Sequence, residues 1–198
     1  MENDCIKTAE VWWKRSLQLN SNSGYYRSLY RSLRFRIKDP VLEIGGGAGT
    51  FLKYLGVDKA TIVDIAGKEN LAGNYKFIKK DITKRLNLKG KYKTIFLMEV
   101  LEHIKNPLYL MSQVYDLLDD DGFCYVAVPY TKLDPKRQKE KNSFNCHVSR
   151  WKMNEIIDQM RKLGFNTRVI QKRRRFKNSA FLLPHCWIVL KLTKRKNH

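Results

Sequence analysis

Residues 41–50, Val-Leu-Glu-Ile-Gly-Gly-Gly-Ala-Gly-Thr, constrain this chain more than any other stretch. A short apolar run enters a glycine-rich turn, and the next apolar run, 60–64, closes on Asp64. Strand, glycine turn, helix, strand and acid is the layout of a nucleotide-binding βαβ unit. Its glycines let the backbone pass close under a ligand without a Cβ in the way. Their spacing discriminates among ligands. A dinucleotide fingerprint G-x-G-x-x-G begun at Gly45 requires glycine at position 50, which is Thr50; begun at Gly46 it fails at Ala48. The pattern present is E-x-G-x-G-x-G, over Glu43, Gly45, Gly47 and Gly49, with Gly46 between.

Periodicity carries the reading along the chain. Thr50–Leu55 predicts a short helix ended by Gly56. Strands follow at 60–64 and 75–78, and 94–98 (Thr-Ile-Phe-Leu-Met) is apolar enough for a central parallel strand buried on both faces. Asn106-Pro107 is a helix start, a capping side chain followed by proline in the first turn. Leu108, Met111, Val114, Tyr115 and Leu118 give that helix its buried face, and the acidic run 119–122 ends it. A fifth strand is expected at 123–128, stopped by Pro129. The lysine-rich stretch 132–145 has the length of a lid. Ser149 is placed to cap a helix carrying Met153, Ile156, Ile157, Met160 and Leu163, ended by Gly164. Segments 165–171 and 186–192 close the sheet as a strand pair. Upstream, Tyr26, Leu29, Tyr30, Leu33 and Ile37 form one apolar helical stripe. The expected fold is α/β: a Rossmann-like, doubly wound, mostly parallel seven-stranded sheet with helices on both faces and an N-terminal helical extension. The length fits one domain over 1–198, with a helical cap at 1–38 and the core at 39–198.

The segments VLEIGGGAGTFL, TIVDI, FIKKDI, MEVLEHIKNP and HVSRWKMNEIIDQMRKLGF occur in one order over about residues 40 to 170. In that order they resemble the class I S-adenosylmethionine (SAM) dependent methyltransferases. They look most like the small-molecule branch that includes the ubiquinone-biosynthesis O-methyltransferases (methyltransferase type 11). The resemblance implies SAM as cofactor, held beyond the carboxyl ends of the strands. Glu43, Gly45, Gly46, Gly47 and Gly49 would form its loop, Glu43 bonding loop amides and favouring the ligand's positive charge. Asp64, beside Ile65, would accept the ribose hydroxyls, and Asp81 the adenine amino group with Ile82 on the ring. Glu99 and Val100 would sit closest to the methyl group.

Methyl transfer from a sulfonium is an in-line displacement, so the protein mainly aligns the acceptor and excludes water. A hydroxyl acceptor must also lose a proton, and His103 and His147 are the candidate bases. Glu99, Glu102 and His103 match the E-x-x-E-H spacing at which some quinone-pathway relatives hold a divalent metal. A metal is left open.

The formal charge of +20, from 39 Lys and Arg against 19 Asp and Glu, admits nucleic acid, anionic lipid or an acidic substrate as partner. Basic clusters lie at 27–38, 132–141, 172–177 and 191–196. No apolar run reaches the ~18 residues of a membrane span, and the N-terminus, Met1-Glu2-Asn3-Asp4, is no signal peptide. A cytoplasmic protein is expected. Cys5, Cys124, Cys146 and Cys186 are widely spaced without a C-x-x-C, as reduced thiols are. The expected acceptor is a small molecule methylated on oxygen. RNA or another polyanion is the alternative, and a catalytically silent SAM-binding regulator a third reading. The N-P-P-[YF] signature of base amino methylation is absent after 94–98, where Glu99-Val100-Leu101-Glu102 stands.

Overall fold

A computed structural model describes residues 30, 33–67, 74–130, 149, 151–174 and 186–195. In chain order these form β1 (Val41–Ile44), α1 (Thr50–Leu55), β2 (Lys59–Asp64), β3 (Asn74–Lys79), β4 (Tyr92–Met98) and a 3-10 turn (Leu101–His103). Then follow α2 (Pro107–Leu117), β5 (Leu118–Tyr130), α3 (Met153–Lys162), β6 (Phe165–Arg174) and β7 (Cys186–Lys194). One seven-stranded sheet has the order β3-β2-β1-β4-β5-β7-β6. The ladders from β3 through to β5 are parallel, whereas β7 runs antiparallel to both β5 and β6. From β1 the chain winds outward to β2 and β3, then returns to place β4 on β1's other side. That reversal opens a crevice at the carboxyl ends of β1 and β4.

Strand alternation divides the core into two layers. Leu42, Ile44, Ile95, Leu97, Cys124, Val126 and Val128 face one way, where α2 packs Leu110, Met111 and Val114 and α3 packs Ile156 and Met160. Val41, Phe96, Phe123, Tyr125 and Ala127 face the other way, where α1 packs Phe51 and Leu52. Helices therefore cover both faces, as the apolar patterns predict. The Asn106 side chain caps α2 by accepting the Tyr109 N–H at 3.3 Å.

Four local expectations are corrected. Residues 33–38 are not helical, although Leu33 and Ile37 do pack against the second core layer. Tertiary partners hold this segment instead. The Tyr125 hydroxyl takes the Arg36 N–H at 2.9 Å and donates to the Arg36 carbonyl at 3.1 Å. Thr94 Oγ1 does the same for Lys38 at 2.8 Å in each direction. Tyr26 and Leu29 lie outside the described residues.

The acidic run does not separate α2 from β5, because α2 ends at Leu117 and Leu118 already pairs with Tyr92. The next pair is Thr94 with Phe123, so Asp119 to Gly122 bulge out where β4 spends only Lys93. Pro129 does not stop β5, and pairs with Trp187 of β7. The β4 ladder ends at Met98 and Ala127, so Pro129 lies where β5 has a single neighbour and a missing N–H is tolerated. Ser149 is not the cap of α3, which starts at Met153. Its hydroxyl donates to the Ile104 carbonyl at 2.6 Å and its N–H to the Glu102 carbonyl at 3.0 Å.

Candidate cofactor site

The glycine loop leaves β1 at Gly45, whose N–H donates to the Val63 carbonyl of β2 at 2.7 Å. Gly45 has φ of 72°, and a Cβ there would lie 2.5 Å from Val100 Cγ2. Val100, just past β4, thus closes the loop from the far side of the crevice. At Gly46 a Cβ would stand 2.5 Å from Glu43 Oε2 and 2.6 Å from its Cδ. The loop can cross above the Glu43 carboxyl only because no side chain intervenes. Gly49 N–H then donates to the Gly46 carbonyl at 2.9 Å and leads into α1.

The two acids beside the loop divide their work otherwise than expected. Glu43 does not serve as the acceptor for the loop amides. Asp64 Oδ2 takes the Gly47 N–H at 2.8 Å, and Oδ1 takes the Ala66 N–H at 3.0 Å. The reason is geometric: Asp64 ends β2 beside the loop, whereas Glu43 points into the protein beneath it. Glu43 is 2% exposed, and its Oε2 has no hydrogen-bond partner. Burial raises its pKa well above the usual carboxylate value, and the charge of Asp64 raises it further. Burial also raises Asp64, although the amides of Ala66, Gly47 and Ile65 pull it down again. A buried polar atom without a partner costs about 1–3 kcal/mol. A cation seated on the loop would relieve that cost, so the residues fit a positively charged ligand.

At the end of β4, Glu99 has a backbone φ of 63°, the left-handed region that a non-glycine residue enters at a cost of about 1–3 kcal/mol. Its N–H donates to the Ala127 carbonyl at 2.9 Å. Its Oε1 accepts the Tyr30 hydroxyl at 3.1 Å. Tyr30 is buried with its ring edge-on to Phe35 and Phe51. This residue from ahead of β1 thus reaches over to the β4 end. The sequence placed Tyr30 on an apolar stripe and gave no signal for its hydroxyl's partner.

Asp81 follows β3 and closes a turn: Oδ1 accepts the Thr83 N–H at 2.9 Å and the Thr83 hydroxyl at 2.6 Å, and Lys84 lies 3.5 Å from Oδ2. Burial alone would raise its pKa, but Thr83 and Lys84 outweigh burial and lower it. Ile82 is half-buried against the first core layer. Asp64 thus ends β2, and Ile65, Asp81, Glu99 and Val100 follow the carboxyl ends of β2, β3 and β4, on the same edge of the sheet as the loop.

His103 ends the 3-10 turn, half-buried, its N–H donating to the Val100 carbonyl at 3.0 Å. His147 lies outside the described residues. Glu102 turns inward: it is 1% exposed, and neither carboxyl oxygen has a partner. Burial raises its pKa well above the usual value, helped by the charge of Glu99. Among the described residues no three His, Cys, Asp or Glu side chains gather to hold a metal ion. The E-x-x-E-H spacing thus does not assemble a metal site among the described residues.

No helix of the described residues is long and apolar enough to cross a membrane. No curated protein matches the sequence. The structure is similar to DhpI in complex with SAH, at 16% identity over 98% of this chain and 99% of that one, with a TM-score of 0.67. A SAM-dependent methyltransferase of Thermotoga maritima, a possible histamine N-methyltransferase, gives 16% identity, coverage of 98% and 100%, and a TM-score of 0.66. The 1,6-didemethyltoxoflavin-N1-methyltransferase of Burkholderia thailandensis, with that compound and S-adenosylhomocysteine bound, gives 14%, coverage of 79% and 71%, and 0.59. The methyltransferase domain family matches residues 22–170, a span containing the loop, the acidic strand ends and α3. The chain therefore belongs to the methyltransferase domain family, as a SAM-dependent enzyme with the class I sheet.

Proposed function

We propose that the chain methylates a hydroxyl oxygen of a small molecule, in the manner of the ubiquinone-biosynthesis O-methyltransferase branch, as one cytoplasmic domain spanning 1–198. The observation that carries the cofactor half is the buried, unpartnered Glu43 oxygen under a loop that admits no side chain at Gly46. When bound, SAM supplies a sulfonium methyl group already activated for displacement. Glu43 and Glu99 favour its positive charge. Gly45, Gly46, Gly47 and Gly49 pass their backbone beneath it. Asp64, already oriented by the amides of Gly47 and Ala66, retains lone pairs for ribose hydroxyls. Asp81 and Ile82 serve the adenine edge and face.

The acceptor half rests on His103. It follows β4 within the turn that begins after Val100, on the edge of the sheet where the loop opens. An imidazole nitrogen there takes the hydroxyl proton as the oxygen attacks. His147 is the second candidate base. The acceptors for which two similar proteins are named, 1,6-didemethyltoxoflavin and histamine, are small molecules methylated on nitrogen, which favours a small acceptor over a polymer.

The test is a product assay with methyl-labelled SAM and a panel of phenols, catechols, amines and RNA. Methyl ethers are the expected products. His103→Ala is expected to lower kcat by about 10²–10⁴-fold with little change in KM for SAM. Label found only on nitrogen or only in RNA would overturn the acceptor, and an unaltered kcat would remove His103 from the role of base.

A further inference from the structure

A cavity of about 310 Å³ lies where the start of β6 meets the end of β7, lined among others by Arg161, Asn166, Arg168, Lys191, Thr193 and Arg195. It is separate from the cofactor site. β6 is the last strand of the sheet and, being antiparallel to β7, runs in the direction of β1 to β5. Its first residues therefore lie at the sheet edge opposite to the glycine loop.

The charges here are only partly answered from within: an Arg195 guanidinium nitrogen donates to the Arg161 carbonyl at 3.4 Å, and Lys191 Nζ lies 3.9 Å over the Phe123 ring. The acidic bulge after α2 supplies partners elsewhere: Asp121 meets Lys38 at 2.5 Å and Lys93 at 3.7 Å, and Asp120 meets Lys194 at 2.9 Å. Asp158 lies 3.5 Å from Arg161. Among the described residues no carboxylate stands within ion-pair distance of Arg168, Lys191 or Arg195. Arg168 and Lys191 are moreover directly opposite each other in the β6–β7 ladder, where like charges destabilise. Two residues along, Asn166 faces Thr193 on the same side, so hydrogen-bonding side chains adjoin the cations. Partial burial and the charges of Arg36 and Arg168 hold the Lys191 pKa below the usual lysine value. An anion would relieve all of this.

Arginine forks suit phosphate oxygens. Lipid docking generally adds an apolar side chain that enters the bilayer. Among the described residues the only large apolar side chain that is exposed is Tyr109, on α2 and absent from this cavity.

We propose that the start of β6 and the end of β7 bind the phosphodiester backbone of a nucleic acid, with Arg161, Arg168, Lys191 and Arg195 on phosphates beside Asn166 and Thr193. The site tethers the enzyme to that nucleic acid, and methyl transfer proceeds at the opposite edge. It stands whether or not the acceptor reading above holds.

The probe is a fluorescent oligouridylate of about twenty nucleotides, read by anisotropy at several salt concentrations. Three proteins are compared: the full chain, R168Q/R195Q, and K76Q/K79Q, which removes the same charge from β3 at the other end of the sheet. SAM affinity is measured on each as a check of folding. The expected result is a roughly tenfold weaker affinity for R168Q/R195Q, with its salt slope reduced by about 1.4 (about 0.7 per phosphate contact). K76Q/K79Q and SAM affinity are expected to stay unchanged. Equal losses in both variants would mean diffuse charge and overturn the site. So would the absence of oligouridylate binding at physiological salt, or capture by phosphatidylserine vesicles without oligouridylate binding.

Discussion

Glu43 and Glu102 are both carboxyl groups buried at 2% and 1% exposure with unpartnered oxygens, yet they lie in different places and predict different things. Glu43 lies beneath the loop and meets a cationic ligand best when ionised. Because burial and Asp64 raise its pKa, acid conditions leave it neutral. SAM affinity is therefore expected to strengthen as pH rises through the raised pKa of Glu43, and Glu43→Gln to weaken binding and flatten that profile. Titration calorimetry at several pH values checks it; a pH-independent affinity would separate Glu43 from the ligand. For Glu102 the folded state holds a proton that the unfolded chain releases near its ordinary value of about 4.3. Stability is thus lost as pH rises from there through the raised folded pKa. Glu102→Gln removes that loss. A Tm higher by roughly 2–4 °C is expected at neutral pH, corresponding to about 1 kcal/mol, with the gain vanishing near about pH 4. A neutral-pH Tm at or below that of the parent chain would contradict it.

Among the elements, the turn between β1 and α1 is the one that a single methyl group can test. Gly46→Ala puts a Cβ within 2.5 Å of Glu43 Oε2 while asking for no left-handed backbone, since Gly46 is not among the positive-φ glycines. SAM affinity is expected to fall at least about tenfold while the protein still folds, because the loop must lift or the carboxyl must turn away. Unchanged affinity would show that the loop does not work through Glu43. This turn was legible in the sequence because glycine spacing and strand periodicity are local properties. The same holds for α1, for the Asn106 cap and for the order of strands. What the sequence hid was decided by partners distant along the chain. Residues 33–38 have an apolar spacing that suits a helix, but Tyr125 and Thr94 hold their backbone outside one. Ser149 looks like a cap and instead ties the chain to Ile104. Pro129 looks like a strand end and is tolerated because β4 has already finished. At the site, acids at strand ends could be read, but which of Glu43 and Asp64 faces the loop amides could not. Nor could the left-handed backbone of Glu99 or its bond from Tyr30.

At the scale of the whole molecule, the two ends of the strands carry different clusters. The carboxyl ends of the strands gather Glu43, Asp64, Asp81 and Glu99 beside a loop suited to a cation. The opposite end, where β6 starts and β7 finishes, gathers Arg161, Arg168, Lys191 and Arg195. This separation keeps an anion-binding surface away from a pocket whose ligand is positively charged, and so allows a +20 chain to hold a sulfonium. A dinucleotide, by contrast, would bring a pyrophosphate to a loop flanked by carboxylates and lacking the third fingerprint glycine, because Thr50 is buried at that position. Calorimetric titration of the purified chain with SAM and, separately, with NAD tests this most directly. Micromolar binding of SAM with no heat from NAD is predicted. Binding of NAD in place of SAM, or of neither, would contradict the account of the loop and its acids.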